Sequence, residues 1–117
     1  MCLDSITETI KRPSMKVVEL YKGFRTNWDG SLEFPCQYYK NRPEAKRGVW
    51  LKAKKEMVCM GGDKFYMSGF HCNATKRGAS WWGNTVLKIK AKGIRYVGRQ
   101  RGKVLVADYI FIPKEKK

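Results

Sequence analysis

His71 is the only imidazole in the chain, and it sits in a Ser68-Gly69-Phe70-His71-Cys72 run. Such a residue can act as a general acid or base, with Ser68 or Cys72 as a neighbouring nucleophile. Asp63 and Asp108 are the carboxylates that would orient it. A lone histidine is also an ordinary core residue, and Gly69 before Phe70 suggests a tight turn that buries the ring. A metal site would need His71, Cys72, Cys59 and Cys36 to converge over long range. No pair of the four cysteines has CxxC or zinc-finger spacing. Cys2 would become an N-terminal nucleophile if Met1 were removed, an arrangement that also needs a base and an oxyanion site. Gly61-Gly62-Asp63-Lys64 lacks the spacing and the following Ser or Thr of a nucleotide-binding loop. No acidic pair is placed for two-metal nuclease work. The residues thus favour a binding protein without a cofactor or metal, and His71 is the only weak catalytic candidate.

Charge is the stronger signal. The 44 residues between Asp63 and Asp108 contain no carboxylate and ten Lys/Arg, and the net charge of the 117-residue chain is +15. That excess opposes compaction unless a negative surface offsets it. Lys88, Lys90 and Lys92 alternate with Leu87, Ile89 and Ala91, as in a half-buried strand that shows a lysine row to solvent. Arg95 follows, then Arg99, Arg101 and Lys103 around a Gly-containing turn. Lys76 and Arg77 belong to a short helix ahead of the row. Tyr38, Tyr39, Trp50 and Trp82 are the rings placed to stack on unpaired bases. This set fits nucleic acid or an acidic protein partner.

The elements that must carry these residues are short. Residues 1–14 read as a flexible arm with a helical turn near Asp4 to Ile10, ended by Pro13. Residues 15–113 form one domain, and 114–117 a basic tail. The segment around Val17 to Phe24 reads as a strand, and Asp29-Gly30 as the turn of a hairpin ending near residue 34. Residues 35–47 read as a loop. In GVWLKAK, Val49, Leu51 and Ala53 face one way and Trp50, Lys52 and Lys54 the other. Thr75 to Trp82 is the best helix, capped by Asn73 or Thr75 and closed by Gly83 and Asn84. The last third reads as strands at 85–92, 94–98 and 103–112, the last central. The expected fold is α+β: an antiparallel sheet or small open barrel of about five to six strands with one or two short helices.

Met1-Cys2-Leu3, YKGFR at 21–25, SGFHC at 68–72 and the terminal VADYIFIP together resemble a loose group of small proteins encoded by phages and prophages. The resemblance spans most of the chain through short motifs. It implies a phage or mobile-element origin and an accessory role, such as action against a host defence system. It carries over no catalytic residue. With no apolar leader, no run of about 20 apolar residues and no disulfide pattern, a cytoplasmic location without membrane contact is expected. The partner is then nucleic acid, a nucleic-acid-handling host complex, or an acidic host protein. Oligomeric state stays open.

Overall fold

The computed structural model describes residues 3, 5–34, 45–53, 57–61, 64–67, 69–100 and 102–114, with the backbone alone for 57–61 and 64. The elements are β1 (Ser5–Thr9), β2 (Val18–Thr26), β3 (Leu32–Glu33), β4 (Trp50–Lys52), β5 (Met57–Gly61), β6 (Lys64–Met67), β7 (Phe70–Asn73), α1 (Lys76–Ala79), a 3-10 turn (Ser80–Trp82), β8 (Thr85–Arg99) and β9 (Lys103–Phe111). Seven strands form one antiparallel sheet in the order β1-β8-β2-β7-β9-β4, with β3 on β2. β8 also pairs with β9, and β5 and β6 form a separate hairpin. The protein is mainly β, which corrects the α+β expectation and raises the strand number. The one α-helix among the described residues has four residues.

β8 organises the sheet. It runs 15 residues without a break, where the sequence suggested two strands. Its first half pairs with β2, from Phe24↔Thr85 to Val18↔Ala91. Its second half pairs with β1, and β9 runs along the other side from Lys90 to Arg99. Gly93, at φ 70°, lies where β8 passes from β2 to β1. That conformation is open to glycine without the penalty a Cβ brings. A register shift between Ile94 and Tyr96 follows, a bulge that strengthens the local twist. A single pair, Tyr21↔Asn73, joins β2 to β7. The sheet therefore curls over its core without becoming a clean barrel.

The alternation in the sequence sets what is buried. Leu20 and Phe24 of β2, Ile89 and Ala91 of β8, Phe70 and Cys72 of β7, and Ala107 and Ile110 of β9 share the main core with Leu51. A second cluster joins Leu3, Tyr66, Val104 and Val106. Leu3 is buried and β1 is hydrogen-bonded to β8. A strand replaces the helical turn suggested there, and this part of the arm is tied to the sheet. The β-branched Ile6, Thr7 and Thr9 suit the pairing.

The helix is capped as its sequence suggests, with Thr75 Oγ1 accepting from Gly78 N–H at 3.1 Å. It packs over Gly23. A Cβ there would lie 2.5 Å from the Ala79 carbonyl oxygen and 2.9 Å from the Trp82 carbonyl carbon. Both are backbone atoms that cannot rotate away. We expect Gly23→Ala to cost about 1–3 kcal/mol by overpacking, read as a lower urea midpoint with an unchanged m-value.

Candidate nucleic-acid interface

In an antiparallel pair, directly opposed residues share a face. Register therefore defines the outer surface of the sheet. Tyr21 lies opposite Lys88, and Glu19 opposite Lys90. Lys90 lies opposite Phe111, and Lys92 opposite Tyr109. Phe111 lies opposite Trp50, and Tyr109 opposite Lys52. Among the described residues, one face across β2, β8, β9 and β4 thus carries four lysines, four aromatic rings and a single carboxylate. Lys88, Lys90, Lys52 and Trp50 are exposed, and Lys92, Tyr21, Tyr109 and Phe111 are half-buried.

The contacts on this face are loose. Lys88 Nζ is 2.7 Å from Glu19, with both side chains more than half exposed. That pairing holds Glu19 below the usual carboxylate range and raises Lys88, but an exposed pair adds little stability. Lys90 Nζ lies 5.9 Å from the Phe111 ring centre. Lys92 Nζ lies 4.2 Å from that of Trp50 and 5.4 Å from that of Tyr109. Trp50 itself leans on Phe111, with centroids 5.6 Å apart. Exposed cation–π contacts contribute about 0.5–1 kcal/mol each, whereas a base stacked on a ring contributes about 1–3 kcal/mol. The lysine heads are therefore displaceable by a polyanion that brings bases with it.

The remaining basic residues separate into groups. Arg95 does not join the row. Its Nε donates to both Asp108 oxygens at 2.8 Å, which offsets its charge, and Asp108 is buried. This pair lines a cleft of about 230 Å³ next to the row, bordered by Lys52, Tyr109 and Met15. Arg95→Ala would leave a nearly buried carboxylate without its partner. We expect a loss of about 2–4 kcal/mol, measured by chemical denaturation, with Arg95→Lys recovering part of it. Arg99 and Lys103 face each other, exposed, at the β8–β9 turn beyond the bend. Lys76 and Arg77 are exposed on α1, which closes the end of the face at Gly23. Trp82 is half-buried in the 3-10 turn. Trp28, 99% exposed on the β2–β3 turn, stands apart from the row. Arg101, Tyr38 and Tyr39 lie outside the described residues, as do Cys2, Cys36, Asp63 and Ser68. Lys52, Tyr21, Tyr109 and Phe111 complete the face but were not singled out by the sequence. Only the strand register places them there.

His71 belongs to a different part of the molecule. It is 6% exposed. Its Nδ1 is 3.2 Å from the Gly69 carbonyl, so Nδ1–H donates there and Nε2 accepts from the Tyr66 hydroxyl at 2.7 Å. Tyr66 in turn accepts from Leu3 N–H at 2.9 Å. Burial, helped by the nearby Lys22 charge, pushes the His71 pKa down to about 3. Lys22 is also buried and donates to the His71 carbonyl at 2.7 Å. Burial raises the Cys72 thiol to about 11. The imidazole is neutral, enclosed and bonded at both nitrogens, which suits a structural relay joining Leu3, ahead of β1, to β6 and β7. The described residues contain no group of three His, Cys, Asp or Glu that could hold a metal, and no helix among them is long and apolar enough to cross a membrane. Comparison with protein-family models, curated proteins and solved structures finds no match.

Proposed function

We propose that this chain is a small basic accessory protein, of the phage type its motifs resemble, that binds nucleic acid or a nucleic-acid-handling complex in the host cytoplasm. The observation that supports this is the outer sheet face, where β2, β8, β9 and β4 bring four lysines among four rings and the one carboxylate that their described residues place with them, Glu19, is already engaged by Lys88. Lysine heads on a firm sheet neutralise phosphates at several points together, so binding should be strong at low salt and fall steeply as salt rises. Rings between the lysines favour nucleic acid over an acidic protein, because bases offer faces that stack on them. The enclosed His71 gives no support to catalysis.

A mobility-shift titration against salt tests the reading. Binding at about 50 mM salt, weakening linearly in log–log form, is the expected result. Absence of binding there would reject it. Retention of a protein partner from nuclease-treated host lysate, without affinity for any oligonucleotide, would move the function to an acidic host protein.

A further inference from the structure

We propose that the ligand of this face is single-stranded, that Trp50 and Tyr109 take its bases, and that Lys92 moves from the rings to a phosphate as the strand binds. This rests on the reading of the face as phosphate-binding. Four rings on an otherwise basic surface are the point of departure. A duplex turns its bases inward and offers such a surface mainly phosphate and sugar. Rings would then add nothing that lysines could not supply. A single strand exposes a π-face at every base.

Trp50 is the best placed of the rings. It is 38% exposed on β4, and its other contact is Phe111 at 5.6 Å, which fixes the indole without covering it. Tyr109 lies one strand away, opposite both Lys92 and Lys52. Lys92 Nζ is shared by the two rings, at 4.2 Å from Trp50 and 5.4 Å from Tyr109. A base arriving at either ring meets this ammonium first. The displaced head remains beside the stack, where the backbone of the same nucleotide brings its phosphate. Glu19 lies on β2, with two strands between it and β4, and is paired with Lys88. The β9–β4 end therefore has no carboxylate on this face among the described residues.

Fluorescence anisotropy with three probes of about 15 nucleotides tests this: oligothymidylate, an abasic strand of equal length, and a duplex. All are measured at about 50 mM salt. The wild-type protein should bind oligothymidylate about tenfold or more tighter than the abasic strand. Trp50→Leu, which keeps apolar bulk against Phe111, should lose about tenfold on oligothymidylate and nothing on the abasic strand. Lys92→Gln should lower the salt slope by about 0.7 on both strands. Equal affinity of the wild type for all three probes would overturn the single-strand assignment, and that comparison needs no variant to fold. Equal weakening of all probes by Trp50→Leu would overturn the stacking role. Failure of every probe to bind would instead reject the phosphate reading beneath it.

Discussion

Replacing Lys88, Lys90 and Lys92 together by glutamate should weaken binding to a single strand by more than about 100-fold at 0.1 M salt, on the order expected for three lost phosphate contacts. Each contact to a single strand contributes about 0.7 to the slope of log affinity against log salt. Relative to 1 M salt, three contacts are therefore worth about two decades at a tenfold lower concentration. Reversal adds repulsion to the loss, so the effect should exceed that of the triple glutamine variant. The slope itself should fall by about 2. The fold should tolerate the change, because the Lys88 and Lys90 side chains are exposed and the Lys88–Glu19 pair contributes little. Circular dichroism and the unfolding midpoint check that. Unchanged affinity in a folded triple variant would move the binding surface away from β8.

Acid should destabilise the protein earlier than its carboxylates alone would require. His71 has an ordinary pKa near 6.5 when unfolded and about 3 when folded. The unfolded chain therefore takes up the proton first. Stability is fully present above about pH 6.5 and is lost as the pH falls toward 3, at up to about 1.4 kcal/mol per unit. Between pH 6.5 and 4.5 the loss should be about 2–3 kcal/mol. Urea unfolding at a series of pH values reads this directly. His71→Gln, which keeps a donor and an acceptor but does not titrate, should flatten the curve across this window. A flat wild-type curve would mean that the imidazole is not held neutral.

Local alternation made much of the fold readable. Lys88, Lys90 and Lys92 project outward and Ile89 and Ala91 inward, as the period of two requires. Thr75, Gly83 and the Asp29-Gly30 turn also stand where their chemistry suggests. The lysine and aromatic face was only half legible because it depends on pairing between distant strands. Arg99 lies opposite Lys103. Extending that register along a regular hairpin would set Lys92 against Ile110, the wrong face of β9. The bulge between Ile94 and Tyr96 shifts it by one residue and brings Tyr109 opposite Lys92 instead. Nothing local in Ile94-Arg95-Tyr96 announces that shift. The Arg95 ion pair was not legible for a related reason: its partner, Asp108, is thirteen residues away across the same bulged pair. Lys22 is a charged residue within YKGFR. In the structure it points inward beside Phe24 and Phe34, in step with Leu20 and Phe24.

The long shared strand also dictates when the molecule can fold. β1 and β2 find their partners on β8, with Ser5 opposite Arg99 and Val18 opposite Ala91. Sheets built from such distant pairings fold slowly. At about 5–20 residues per second, synthesis leaves these first strands waiting on the order of 4–16 s for β8 to be made. During that interval Leu20 and Phe24 have no sheet to cover them. The β8–β9 hairpin is the local unit able to form first, and the earlier strands then add to it. Folding of this sheet should therefore wait until β8 and β9 have been made, and the earlier strands should depend on chaperones until then.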